Sequence, residues 1–140
     1  MQWIQRNVQL SPYSRGFHLI TKEVLAAIPE ISTFQSGLLN VFIRHTSASI
    51  SMNENADPTV RADFESFFTR LVPESKKDYL HNYEGLDDMP AHLKAAILGF
   101  SIQIPVENGR LNLGTWQGIY LGEHRDSASG RMLCLTLFGV

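Results

Sequence analysis

The sequence predicts an α+β fold: an antiparallel β-sandwich-like single domain spanning residues 1–140, with two or three inserted helices. Short, β-rich apolar segments recur from end to end, at Trp3 to Leu10, Phe17 to Ile20, Leu38 to Arg44, Phe100 to Val106, Leu111 to Leu121 and Met132 to Phe138. Between two of them, Asn108-Gly109 is the dipeptide that favours a type I′ turn, and such a turn joins antiparallel neighbours. Only three stretches carry helical signals, so strands dominate.

The elements follow in order. The Ser-Pro-Tyr-Ser-Arg-Gly run at 11 to 16 breaks the first strand before the short second one. Thr21 is placed to cap a short helix through Ile28, and Pro29 stops it. Leu38 to Arg44 is apolar enough for a buried strand and leads directly into His45. Pro58 to Leu71 is the clearest helix: Asp57 suits the N-cap, Pro58 the first turn, and Val60, Phe64, Phe67, Phe68 and Leu71 share one face, predicted to be buried. The polar stretch from Pro73 to Met89 is long for a structureless connection, which implies function or an additional element. Pro90 opens a further helix that Gly99 can close, and a polar turn from Glu123 to Arg131 joins the last two strands.

Composition narrows the function. An apolar fraction of 44% and a charged fraction of 19% suit a packed globular core. Twelve Lys and Arg against fourteen Asp and Glu give a net charge of -2, so nothing draws the chain electrostatically to nucleic acid or to an anionic membrane. No apolar run approaches the ~20 residues that span a bilayer, and the lone Cys134 rules out an intrachain disulfide or a Cys-based zinc knuckle. A cytoplasmic protein is the expectation.

Three polar constellations can carry chemistry. His45 to Asp57 places polarity at the end of an apolar strand, a normal way to build a site on a rigid scaffold. Tyr79 to His92 gathers His81, Asp87, Asp88 and His92; neutral imidazoles suit zinc and carboxylates also hold magnesium. Asp88 just before Pro90 fits the positive end of a helix, whereas Asp87 is left open. Leu111 to Asp126 carries three glycines in a β-like run, suggesting bulges or close backbone approach, and Arg125 has the planar fork that binds phosphate. Trp116 reads as core or oligomer interface.

Together, His45-Thr46-Ser47-Ala48-Ser49 with Asn53-Glu54-Asn55, Asp88-Met89-Pro90-Ala91-His92, and Leu113-Gly114-Thr115-Trp116-Gln117-Gly118 with Glu123-His124-Arg125 resemble the YjbQ-like secondary thiamine-phosphate synthase family. The resemblance runs in order over nearly the whole chain. It implies a homotrimer with a polar site that holds a metal or an anion. It also implies a weak thiamine-phosphate synthase activity that joins hydroxymethylpyrimidine diphosphate to a thiazole phosphate and releases pyrophosphate. A metal- or phosphorylated-metabolite-binding homotrimer without significant catalysis is the competing expectation. Within the motifs, Thr46, Ser47, Ser49, Thr115 and Arg125 can donate to phosphate oxygens. His45, His81 and His92 are expected to converge on one divalent metal, zinc at the histidines or magnesium with the diphosphate. Asp87 and Glu123 are expected as acid/base groups or as groups orienting the ligands. His124 sits at a hairpin end, where solvent exposure is at least as natural a reading as a role in the site.

Overall fold

A computed structural model describes residues 1–140. The chain forms, in order, β1 (Gln2–Gln9), β2 (Gly16–Leu19), α1 (Thr21–Ala27), a 3-10 turn (Pro29–Thr33), β3 (Ser36–Ile43), β4 (Ala48–Glu54), α2 (Pro58–Leu71), α3 (Asp88–Leu98), β5 (Ser101–Glu107), β6 (Arg110–Leu111), β7 (Gln117–Glu123) and β8 (Met132–Gly139). Five strands make one sheet in the order β1-β8-β3-β5-β6, and three make a second in the order β2-β7-β4. Every pairing is antiparallel, as the hairpin signal and alternating pattern predict. Asn108 (φ 50°) and Gly109 (φ 77°) both take the positive φ that a type I′ turn demands between β5 and β6.

The two sheets enclose the main core. Leu39, Val41 and Ile43 of β3 and Leu133, Leu135 and Leu137 of β8 meet Ala48 and Ile50 of β4 and Ile119 and Leu121 of β7 in one apolar cluster. Ile20, Val24 and Ile28 of the α1 segment close one end. Thr21 begins α1 but does not cap it: its hydroxyl accepts from the Ile119 backbone N–H, bonding the helix start to β7.

Strand alternation gives the three-stranded sheet a second face, away from this core. Register places Ser49 opposite Gly122 and Ser51 opposite Tyr120, so these four share one side, with Phe17 opposite Gly122 on the other neighbour. Helix α2 covers that face, with Phe64 and Phe68 against Phe17, and Phe64 edge-on to Tyr120. Asp57 caps it as predicted, its carboxylate accepting from the Thr59 N–H at 2.9 Å.

The predicted burial of the α2 stripe needs correction. No side chain of α2 is fully buried; Phe67 is 50% and Leu71 53% exposed, and of the stripe Val60, Phe64 and Phe68 are half-covered. The helix lies across a three-stranded sheet, which is too narrow to cover the whole stripe. The stretch between Leu71 and Asp88 forms turns and bends with no further helix or strand. On this packing, Phe64→Ala should lower stability by about 2 kcal/mol, below the usual cost for a fully enclosed ring, and Phe67→Ala by less than about 0.5 kcal/mol. Urea denaturation of the two variants checks the order.

Candidate functional site

The site is built where α3 begins. Asp87 occupies the cap position, yet its side chain makes no capping bond. Its Oδ2 instead accepts from the Asp126 backbone N–H at 2.9 Å and from Arg125 Nε at 2.8 Å. Burial acts to raise the Asp87 pKa, but these donors outweigh it and hold the carboxyl below its ordinary value.

Asp88, the first helical residue, turns inward and is 1% exposed. Its Oδ1 accepts from Arg125 Nη1 at 2.8 Å. Its Oδ2 lies 2.7 Å from His81 Nε2 and 3.3 Å from His92 Nε2, the latter one helical turn away on the same face. The sequence assigns Asp88 to the helix dipole; the structure makes it the centre of a side-chain cluster, because Arg125 draws both carboxylates toward β7.

His92 identifies what this cluster can hold. Its Nδ1 is 2.9 Å from the Thr46 carbonyl oxygen. A carbonyl only accepts, so Nδ1 carries the hydrogen and a neutral ring points the Nε2 lone pair at the Asp88 carboxylate. Two electron-rich atoms 3.3 Å apart repel unless a cation, a proton or a metal ion, sits between them. The donor atoms of His81, Asp88 and His92 all lie within 4.8 Å of one another. Atoms sharing a tetrahedral zinc are about 3.3 Å apart, and a metal-bound imidazole ordinarily donates its other N–H to a carbonyl or carboxylate. The residues fit a divalent metal of the zinc type.

His45 does not join them. Its Nε2 accepts the Met132 backbone N–H at 2.8 Å, which ties the β3 end to the β8 start. Burial, with Arg131 nearby, pushes its pKa down and keeps that nitrogen free to accept. The expectation of three converging histidines is therefore corrected to two histidines and Asp88.

The remaining expected residues divide by location. Thr46 is exposed beside His92, while Ser47 is buried and its carbonyl accepts from Arg131 Nη2 at 3.3 Å. Glu123 is 1% exposed, with both oxygens on the guanidinium of Arg131 and Oε2 also accepting the Arg125 N–H. Ser49 and His124 lie on the second sheet face, with Ser49 Oγ 2.8 Å from His124 Nε2. Gly122 makes room for that pair, since a Cβ there would stand 2.3 Å from Ser49 Oγ. His124 is buried rather than solvent-exposed because strand pairing continues through Glu123 and turns its ring under Phe17. Thr115 precedes β7 and Glu123 ends it, so about 20 Å of strand separates Thr115 from the cluster within one chain.

The comparisons agree with this architecture along the whole chain. A family model described as UPF0047 protein YjbQ-like matches residues 6–140. The UPF0047 protein YjbQ of Escherichia coli O157:H7 is 50% identical over 137 residues, covering 98% of this chain and 99% of the relative. The chain belongs to the YjbQ-like UPF0047 family. Another UPF0047 relative, YugU of Bacillus subtilis, is 44% identical over 105 residues, 74% of this chain and 76% of its own. A crystal structure of a YbjQ-like protein of unknown function from Sulfolobus solfataricus P2 superposes with a TM-score of 0.86 at 25% identity, covering 99% of each chain. A YjbQ/UPF0047 structure from Clostridium acetobutylicum gives a TM-score of 0.79 at 39% identity, over 96% of this chain and 99% of its own.

In this YjbQ-like chain, sequence reasoning missed Asp88 as a cluster member and Arg131 as the partner of Glu123. The available signal for Asp88 was its i,i+4 spacing to His92. Nothing local marks Arg131, which is placed by β8 pairing.

His124 carries a testable pH dependence. Burial above all, then the charges of Lys94, Arg131 and Arg15, depress its pKa to about 3. The unfolded chain takes up that proton near pH ~6.5, so the folded state's stability is complete above that value and declines as pH falls toward the folded pKa. Between about pH 7.5 and about pH 5, the thermal midpoint should drop less in His124→Gln than in the parent chain. Equal slopes would remove His124 as a source of acid sensitivity.

Proposed function

We propose that this chain is a metal-assisted site for phosphorylated small molecules, with a weak thiamine-phosphate synthase activity as the specific reaction. The carrying observation is the His92 geometry: a ring whose tautomer is set by the Thr46 carbonyl aims its lone pair at a buried carboxylate, alongside a second imidazole. Family membership supports the reaction through the resemblance on which it was expected.

In that reaction the methylene–oxygen bond of hydroxymethylpyrimidine diphosphate breaks, with its electron pair leaving on pyrophosphate. A bond forms from the thiazole nitrogen to the methylene carbon. A divalent ion held by His81, Asp88 and His92 would neutralise charge developing on the departing oxygens. The chain's own contribution is orientation. Arg125 clamps Asp87 and Asp88 in one arrangement, and Thr46 holds His92 through its carbonyl while its exposed side chain faces the same cavity as that imidazole. Glu123 and Arg131 fasten the corner that carries Ser47 to the end of β7.

The same reading includes a homotrimer. Trp3 stacks on Phe138 yet remains exposed on the large sheet's outer face, and Trp116 is 63% exposed, surfaces suited to contact between copies. A cytoplasmic location is consistent with the single free Cys134; no helix is long and apolar enough to cross a membrane.

The test pairs metal content with turnover. After dialysis against zinc or magnesium, the parent chain should retain a divalent ion, and His92→Ala should retain it at least about tenfold more weakly while keeping its circular dichroism spectrum. Pyrophosphate release from the diphosphate and thiazole phosphate pair should fall in parallel. Metal retention without turnover would favour a binding protein; turnover unchanged in His92→Ala would refute the metal-assisted reading.

A further inference from the structure

The one cation among the residues expected to bind phosphate, Arg125, is already paired. Arg125 donates through Nε to Asp87, through Nη1 to Asp88 and through Nη2 to the Glu84 carbonyl, at 2.8, 2.8 and 2.7 Å. Those bonds use three of its five N–H groups, and the carboxylates of Asp87 and Asp88 set negative charge beside the two that remain, which disfavours a phosphate there. The site still needs a cation other than the metal, because a phosphorylated ligand brings more than one negative charge.

Arg44 is placed to supply it. Arg6, Arg15, Arg125 and Arg131 each carry carboxylate partners; Arg44, Arg61, Arg70 and Arg110 carry none, and of these four only Arg44, which is exposed, lines the cavity that His92 shares. It stands at the end of β3, fixed through its backbone by a hydrogen bond from its N–H to the Met132 carbonyl at 3.0 Å. Arg44 lines a cavity of about 540 Å³ whose wall also includes His45, Thr46 and His92. His92 thus belongs both to this cavity and to the His81–Asp88–His92 cluster.

The rest of the wall is apolar and in part aromatic. Phe42 and Phe100 meet edge to face with centroids 5.8 Å apart, and the short side chains of Ala95 and Ala96 of α3 line the same wall. Small side chains next to an aromatic pair make a slot for a planar ring, and few convergent polar groups on an apolar wall are the ordinary make-up of a small-molecule site.

We infer that Arg44 grips the phosphate of a phosphorylated aromatic or heteroaromatic metabolite whose ring occupies the slot formed by Phe42, Phe100, Ala95 and Ala96. This inference rests on the proposed function for the class of ligand and adds the residues that recognise its two ends. Arg44 binds the anion through charge-assisted hydrogen bonds, beside the edge of the site that His92 marks. The slot selects planar rings over puckered ones of the same charge.

Calorimetric titration of the metal-loaded protein with pyrophosphate, phenyl phosphate and cyclohexyl phosphate tests both ends. The parent chain should bind phenyl phosphate more tightly than cyclohexyl phosphate. Arg44→Met should weaken pyrophosphate and phenyl phosphate alike by at least about tenfold, with Arg44→Lys restoring part of the loss. Ala96→Trp should weaken phenyl phosphate and spare pyrophosphate; Phe100→Ala, which adds no bulk, should erase the preference for the planar ring. Metal retention should stay at the parent level in every variant, which separates this inference from the metal reading. Unchanged pyrophosphate binding in Arg44→Met would overturn the assignment of Arg44, and equal affinity for the two ring compounds in the parent chain would overturn the slot. If the parent retains no metal yet Arg44→Met still loses pyrophosphate, the metal reading fails and Arg44 stands.

Discussion

The carboxylate of Asp88 is the point on which the site depends. It is nearly inaccessible to solvent and meets Arg125 on one oxygen and two histidines on the other. Those partners come from the end of β7, the segment before α3 and α3 itself, so one buried charge fixes three parts of the chain relative to each other. Such a charge is costly unless its partners are in place. The arrangement is consequently a single unit: moving Arg125 would release Asp87 as well, and with it the Asp126 backbone contact.

The two-sheet sandwich makes that unit possible. Ordinary alternation sends leucines and isoleucines of β3, β4, β7 and β8 into one core, and the same alternation leaves β4 and β7 with a second face of Ser49, Ser51, Tyr120, Gly122 and His124. Covering this face with α2 and α3 buries polar groups close to the site. His124 is held neutral there by burial, and burial likewise lowers the pKa of Lys94 on α3. Glu123, pointing the other way from the same strand, finds Arg131 instead. Neighbouring residues of one strand therefore meet opposite electrostatic fates.

Most of the fold was legible in the sequence because its signals are local. Asn108-Gly109 specifies a turn by its own backbone preferences, and Asp57-Pro58 starts a helix by cap chemistry. The burial of α2 was not legible, since an apolar stripe records what a helix offers and not how much sheet exists to cover it. At the site, His81 and His92 were legible from residue type. His45 was misplaced because its role, accepting the Met132 N–H, depends on a strand 87 residues away. The commitment of Arg125 and the freedom of Arg44 are likewise matters of tertiary pairing, which no run of neighbouring residues encodes.

The divalent metal site proposed for His81, Asp88 and His92 underlies the function assigned to the chain. X-ray absorption spectroscopy of the zinc-loaded protein addresses it most directly, because it counts imidazoles and measures their bond lengths. Two imidazole nitrogens and one carboxylate oxygen at about 2.0 to 2.2 Å are expected, completed by a light-atom ligand from solvent, with no sulfur. A third imidazole in the shell, or a zinc surrounded by water oxygens alone, would contradict it.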